Sequence, residues 1–575
     1  MHLLNPFHNH SGNHQNAPHH QAPPQDQPPN YGNQGQNEYP HGNPDGNKGQ
    51  TANPPCGQKQ PSNPGEGDII GQLVTGYQGW FSCAGDCCSL GGYWHWAPDR
   101  LKPMCKDNCA VISWPDMRYY EQQYSTDFAP YPDGTPSRLF SSMDAQTVYA
   151  HFRMMQDAEI RAAALQRFVP CGPEGPPRDI TTVHVHNAAL ATGVKWYCMY
   201  DVGGWTDMRT ELPEDWRTKM SQYASSPVYA RQNGKPVVAI WGFGFNDDNH
   251  DWEPEACIEV IRYLQGCGLY VIGGVPTWWR KGISDSRPDY AAVYHSFDCL
   301  SPWMVGRASL TKDLDFYFAE CNKGDVEELH ALGIDYQPCV MPGDLATGRR
   351  LHGDFYWHHL SNLARLGRTG VGLYVSMFDE YNEGNQIAPT AETAASQPAD
   401  FAHPALDEDG TPCTADYYLR LTRDGGNMFR GLLPYTPLRP TEPWPGRGPV
   451  HRPRQVAIKA MVNGRYVCVE GDGHLINDRE NVGPWETWTL ETTLSGTRFK
   501  AYTGKYLCVA DEVVVANRES PGKWETFQVD RLDDGRVTIR AWTGKYLQAC
   551  PDGTGRMAAG AAEAGWWESF VMEDV

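Results

Sequence analysis

Glu380 and Glu383 end an apolar run, Gly372 to Phe378, that turns within a few residues into acids and amides: Asp379, Glu380, Asn382, Glu383 and Asn385. Two carboxylates three residues apart, delivered just past the carboxyl end of a strand, can divide acid and base work. One holds a proton for a departing oxygen and the other is ionised to take one. Acids in such a place can equally cap the next helix or form a surface ion pair. The choice depends on which other residues the fold brings to them.

Eight short apolar runs alternate with helical stretches between Asp68 and about residue 435: Leu73 to Phe81, Ala162 to Val169, Lys195 to Val202, Pro236 to Phe243, Leu269 to Val275, Cys299 to Val305, Ile334 to Met341 and Gly370 to Phe378. Between them, Glu255 to Cys267 and Gly353 to Leu366 carry apolar residues at helical spacing. This is the pattern of repeated βα units, and eight of them predict an α/β fold, a closed (β/α)8 TIM barrel. The active site of such a barrel lies at the carboxyl ends of its strands. The expected lining is therefore Tyr77, Gln78 and Trp80 after the first run, Gln166 and Arg167 after the second, and Tyr200 and Asp201 after the third. Trp241, Trp278 and Trp303 follow, with Tyr381 and Asn382 beside the two acids. Each of these aromatics could instead be core. A charged residue such as Asp201 or Arg167 is costly to bury at a strand end without a role. Aromatics, amides and acids suit a sugar cleft, whereas a phosphate site would call for glycine-rich loops and more cations.

Composition narrows the partners. Asp and Glu outnumber Lys and Arg by 69 to 48, a formal charge of −21, which argues against nucleic acid or an anionic membrane as ligand. No run of 18 apolar residues is present, so no membrane span is expected. The start of the chain has neither a basic n-region nor an apolar h-region, so a cytoplasmic location is the default and secretion stays open. Seventeen cysteines pull the other way. Cys83, Cys87, Cys88, Cys105 and Cys109 cluster, and they read as free thiols, as a loop staple or as a zinc site without a clear tetrad. Residues 1–67, rich in His, Asn, Gln, Pro and Gly, are expected to form a disordered tail.

With these residues in place, Gly76-Tyr77-Gln78-Gly79-Trp80-Phe81, Leu165-Gln166-Arg167-Phe168, Met199-Tyr200-Asp201-Val202-Gly203-Gly204 and Glu380-x-x-Glu383-Gly384-x-Gln386-Ile387 resemble the glycoside hydrolase family 71/99-like superfamily. Its family 99 branch holds endo-acting α-mannosidases and related α-mannanases on a (β/α)8 barrel, acting with retention. The resemblance implies that Glu380 is the base, deprotonating the sugar 2-hydroxyl so that it displaces the leaving group through a 1,2-anhydro sugar. Glu383 is then the acid/base at the departing oxygen. Tyr381 and Asn382 stand where that branch has Trp and His, and Asn385 where it has Thr. In this the pattern is closer to the sequences named xylosidase/arabinosidase. No cofactor and no metal are expected, because one base and one acid suffice.

Residues 436–457 are rich in Pro and Arg, the composition of a stiff linker. Beyond it Gly464-Arg465-Tyr466, Gly504-Lys505-Tyr506 and Gly544-Lys545-Tyr546 recur every 40 residues, each followed by a Trp-Glu element at Trp485, Trp524 and Trp567. Three β-rich units over 458–575 predict an all-β β-trefoil. The Gly-Lys-Tyr-Leu and Trp-Glu-x-Phe positions resemble the fascin-like type, and their aromatics are expected to pack the threefold core. Two functions compete: a glycosidase whose trefoil is an accessory module, and a non-catalytic protein whose trefoil contacts glycans or actin. The enzyme is favoured, because a bundler needs two filament sites and this chain has one trefoil, with 13 Lys and Arg against 18 Asp and Glu.

Overall fold

The computed structural model describes residues 60–86, 91–444, 454–493, 496–510, 513–532, 536–549 and 555–575. Most of the expected tail, Cys87 and Cys88, and the middle of the expected linker lie outside the described residues.

Each of the eight apolar runs holds parallel strand. In chain order these are β1 (Leu73–Tyr77), β2 (Ala162–Arg167), β3 (Lys195–Asp201), β4 (Lys235–Trp241), β5 (Tyr270–Pro276), β6 (Cys299–Trp303), β7 (Asp335–Tyr336), β8 (Cys339–Val340) and β9 (Leu373–Val375). The sheet order is β7-β6-β5-β4-β3-β2-β1-β9-β8. Since β7 pairs with β6 and β8 pairs with β9, the two short strands behave as one strand interrupted at Gln337-Pro338, where proline offers no N–H to the ladder. A parallel bridge from Tyr336 to Val371 brings the two edges of the sheet together. The sheet thereby curls into a (β/α)-barrel-like ring.

The helices α1 (Ala145–Asp157), α2 (Gly175–Thr192), α3 (Met208–Asp215), α4 (Pro254–Gly266), α5 (Ala291–Tyr294), α6 (Thr311–Tyr317), α7 (Lys323–Leu332), α8 (Asp354–Ala364) and α9 (Tyr417–Arg430) intervene between or follow the strands. In α4 the buried side chains are Cys257, Val260, Ile261 and Leu264, one stripe at helical spacing. β1 and β2 are buried along their whole length, as a parallel sheet covered on both faces requires. Packing inside the ring is close. A Cβ on Gly76 would lie 2.2 Å from both Met377 Sδ and Tyr374 Oη, so any larger residue there would have to displace those side chains.

The polar stretch before Asp68 is already engaged. Ser62 donates to Asp335 of β7 from its amide at 2.8 Å and from its hydroxyl at 2.5 Å. Composition gives no sign of this, because a single buried serine has no apolar neighbours in sequence. The Pro/Arg stretch is likewise anchored at its start, where Trp357 donates to the Thr436 carbonyl and Arg439 pairs with Asp354 at 2.7 Å.

The C-terminal strands are β10 (Arg454–Ala460), β11 (Tyr466–Val469), β12 (Leu475–Arg479), β13 (Thr487–Thr493), β14 (Gly496–Lys500), β15 (Tyr506–Ala510), β16 (Val513–Arg518), β17 (Gln528–Arg531), β18 (Val537–Arg540), β19 (Tyr546–Ala549), β20 (Met557–Ala561) and β21 (Ser569–Asp574). β10 pairs antiparallel with β13 and β21, β13 with β14, β17 with β18, and β18 with β21. A bridge from Thr497 to Phe527 joins the two halves, so the ring closes. The hairpins β11–β12, β15–β16 and β19–β20 meet one another through His474–Val515, Val513–Ala558 and Ile476–Arg556, a trefoil-like arrangement with its own core.

The aromatics of the Trp-Glu elements are not where the repeat pattern suggested. Trp485, Trp524 and Trp567 are exposed, and Trp488, Phe527 and Phe570, three residues on, fill the core. The buried member of each dipeptide is the acid. Glu486, Glu525 and Glu568 each accept the amide of the glycine three residues back, at 2.7–2.8 Å. The repeated Trp-Glu thus records a turn cap rather than a core position.

Candidate functional site

β9 ends at Val375, and the chain then crosses the mouth of the ring through Asp379, Glu380 and Glu383. A single turn, with the Glu383 and Gly384 amides donating to the Glu380 carbonyl at 3.2 and 3.0 Å, sets the two glutamates on one side. Gly384 leaves that turn at φ +67°, a backbone conformation that suits glycine. The turn is held from below by Arg350. This buried guanidinium donates to the Gly384 carbonyl at 2.7 Å and to the Gln386 carbonyl at 2.7 Å.

Glu380 is buried. It accepts from Gln78 Nε2 at 2.6 Å and from Asn385 Nδ2 at 3.0 Å, and Asn385 Nδ2 also reaches Glu383 at 3.3 Å. Burial raises Glu380 well above the ordinary carboxylate range, and the neighbouring Glu383 adds to the rise. Burial also raises Glu383, with Asp344 as the second cause. Among the described residues no Arg or Lys forms an ion pair with either acid. The amide donors fall unequally: two good ones reach Glu380 and one long one reaches Glu383. Donors stabilise the ionised form, so the two good donors at Glu380 oppose the rise that burial and Glu383 impose on it. Asp379, one residue earlier, is spoken for. It accepts the Gln78 and Gly79 amides at 2.8 and 2.7 Å, and burial lifts it to about 6. It ties the end of β1 to the end of β9.

From Glu380 a line of side chains crosses the mouth. Tyr374 lies 6.2 Å from Trp303, Trp303 lies 5.5 Å from Trp241, and Trp241 lies 5.2 Å from His250, measured between ring centroids. Asp201 is in register with Trp241 on the neighbouring strand and accepts the Gly203 amide at 2.9 Å. Gln166 points to Met377. Buried polar atoms without a hydrogen-bond partner occur around this line: Gln78 Oε1, Asn382 Oδ1, Asn385 Oδ1, Trp241 Nε1 and His250 Nε2. Neutral donors and acceptors of this kind match the hydroxyls of a sugar.

Several expected lining residues are elsewhere. Tyr77 points at α1 and bonds His151 at 2.9 Å. Arg167 pairs with Asp215 at 2.6 Å and with Asp179 at 2.7 Å, and Tyr200 donates to Asp215 at 2.9 Å, all in the layer between strands and helices. Tyr381 packs against Phe81, Trp96 and Phe140 and donates to the Pro389 carbonyl. Trp80 stacks on His95 at 3.9 Å, and Trp278 packs on Tyr317 and Lys281. For Tyr77, Arg167 and Tyr200 the physical reason is strand parity: of two consecutive residues at a strand end, one faces the mouth and the next faces the helices. Arg350 and His250 are not marked in the sequence, because each lies in a stretch with no distinguishing local pattern. Cys83, Cys105 and Cys109 are free thiols, and among the described residues no three His, Cys, Asp or Glu side chains are grouped as a metal site. Among the described residues no helix is long and apolar enough to cross a membrane.

Residues 453–573 match the model of a family described as a domain of unknown function, DUF7910. The sequence has no match among curated proteins. Among solved structures, the GH99 endo-α-mannosidase of Bacteroides thetaiotaomicron is 17% identical, with a TM-score of 0.44, covering 63% of this chain and 98% of its own. The ricin B-like lectin of Macrolepiota procera in complex with lactose is 16% identical over 22% of this chain and 99% of its own, with a TM-score of 0.19. A designed threefold-symmetric protein, ThreeFoil, is 20% identical over 21% of this chain and 99% of its own, with a TM-score of 0.20. At these TM-scores the likenesses lend the site no support, and its reading rests on the side chains themselves.

Proposed function

We propose that the protein is a retaining glycoside hydrolase acting on an oligo- or polysaccharide, with a catalytic unit at 68–435, a linker at 436–457 and an accessory trefoil glycan-binding module at 458–575. The observation that carries the reading is the pair of buried Glu380 and half-buried Glu383, without a paired cation among the described residues, bridged by Asn385 and unequally supplied with donors. Glu380, ionised, takes the proton of the sugar 2-hydroxyl. The freed oxygen attacks C1, and the bond from C1 to the leaving oxygen breaks as Glu383 gives that oxygen its proton. Water then opens the 1,2-anhydro sugar at C1, losing a proton to Glu383 while Glu380 returns one to O2. Two displacements at C1 give net retention. Gln78 holds Glu380 in place for the transfer, and Trp241 and Trp303 offer ring faces to the sugar.

The leaving group tests the assignment. On a glycoside found by screening aryl glycosides and polysaccharides, Glu383→Gln should cripple poor leaving groups and spare activated aryl or fluoride glycosides that depart without a proton. Equal losses on both classes, or an inverted product by proton NMR, would overturn these two roles.

A further inference from the structure

The three trefoil-like units are near copies, so a residue present in one and missing from the other two is not explained by the fold they share. Superposed by their shared Gly-Lys/Arg-Tyr turns and by the paired core positions Val456–Trp488 and Thr497–Phe527, Arg498 corresponds to Ala457 and Thr538, and Lys523 to Pro484 and Trp566. By contrast, Arg540 has a cation in every unit. Lys459, Lys500 and Arg540 each lie over the ring of their own tyrosine, Tyr466, Tyr506 and Tyr546, at 5.0, 5.2 and 6.0 Å.

Arg498, Lys523 and Arg540 line one hollow of about 670 Å³ between the second and third units, together with Phe527, Gln528 and Trp542. Among the described residues no carboxylate lines it. Arg498 Nε is buried without a hydrogen-bond partner, and the Glu491 carboxylate opposite it on β13 is engaged by the Tyr506 hydroxyl at 3.0 Å. Arg540 donates to Gln528 Oε1, which aims its guanidinium. Lys523 Nζ rests 4.6 Å from the centre of the Trp542 ring, and Trp542 stacks on Trp524 at 6.0 Å. In a chain of formal charge −21, three cations around one hollow whose described lining holds no carboxylate carry a mutual repulsion that the fold does not require.

We propose that this hollow binds an acidic saccharide, its carboxylate or sulfate held by Arg498, Lys523 and Arg540 and its ring placed along the exposed Trp542 edge. Arginine is the residue suited to a two-oxygen anion, and the volume exceeds what a lone inorganic ion fills. The site is independent of the barrel chemistry.

The test is titration of the full-length protein, followed by calorimetry and tryptophan fluorescence, with an oligogalacturonate, a sulfated oligosaccharide, neutral xylo- and manno-oligosaccharides and inorganic sulfate. One or both acidic oligosaccharides should bind, weakening as salt rises, and the two identify the anion. Arg498→Gln with Lys523→Gln should weaken binding at least tenfold, while Lys500→Gln, the corresponding cation of the second unit, and Glu380→Gln leave it unchanged. Circular dichroism confirms that each variant is folded. Neutral oligosaccharides binding as well as acidic ones, sulfate alone binding as tightly, no binding by any probe, or an unaffected double variant would each overturn the proposal. So would filamentous actin co-sedimenting through these cations when no oligosaccharide binds.

Discussion

Two buried charged clusters stand at the strand ends of the barrel-like unit, and they are built on opposite principles. Around Arg167 every charge is answered: Asp215 takes two of its donors, Asp179 another, and Tyr200 completes Asp215. Around Glu380 two carboxyl groups share amide donors and, among the described residues, have no cation paired with them. A fold seeking stability alone builds the first kind, because an uncompensated buried charge is costly. The second kind persists at sites where protons are to be moved. The contrast teaches that a charged residue at a strand end is not evidence of function until its counter-charge has been looked for.

The largest effect should come from the cluster lacking a counter-charge. Glu380→Gln preserves shape and hydrogen-bonding capacity but removes the base, and turnover should fall about 10⁴-fold, equivalent to about 5.5 kcal/mol of barrier, with melting temperature held or raised. Steady-state kinetics beside a thermal melt measure both. Loss of stability together with activity would place Glu380 in the same structural class as Arg167.

Next in size is the converse change. Asp215→Asn leaves the Arg167 guanidinium, 2% exposed, without its main partner, and denaturant unfolding should show a loss of about 3–5 kcal/mol. The kcat of the folded fraction should stay within about threefold of native. A large drop in kcat with stability intact would return Arg167 to the cleft.

The two clusters also differ in how readable they are. The eight strands stand out because a parallel strand covered on both sides is a continuous apolar run, and Glu380 and Glu383 stand out because acids interrupt one. At the strand ends the pattern marks both members of each neighbouring pair, Tyr77 with Gln78, Gln166 with Arg167, Tyr200 with Asp201. Alternation separates them only once one knows which member faces the helices. Arg350 is 30 residues from Glu380 in sequence and reaches the Gly384 carbonyl only through the fold, so nothing local marks it. In the trefoil-like unit the repeat itself was legible, but it could not distinguish a buried capping acid from a buried ring, because both recur at the same spacing.

A smaller effect concerns pH. On the proposed roles, ionisation of Glu380 switches activity on as pH rises through its raised pKa and ionisation of Glu383 switches it off as pH rises through its own, so kcat/KM should be bell-shaped. Burial raises both groups, so both limbs should lie on the alkaline side of ordinary carboxylates. Glu383→Gln, assayed with an activated substrate, should lose the alkaline limb and keep the acid one. Persistence of the alkaline limb would assign it to another group.

The smallest change separates an amide that bridges two acids from one that merely fills space. Asn385 gives one donor group to both glutamates, at 3.0 Å to Glu380 and 3.3 Å to Glu383, and its own Oδ1 has no partner. Asn385→Leu keeps the volume and removes the donor. Glu380 then ionises less readily, because the hydrogen bond that favoured its charged form is gone, so the acid limb of the profile should move further to the alkaline side. Glu383 loses only a long contact, and the alkaline limb should move less. At the pH optimum the cost should be about tenfold in kcat/KM, one good hydrogen bond to a charged group. A merely structural Asn385 would lower stability and scale the whole profile down without displacing either limb. Asn385→Gln, which can still donate, should restore the position of the acid limb even where it does not restore the full rate.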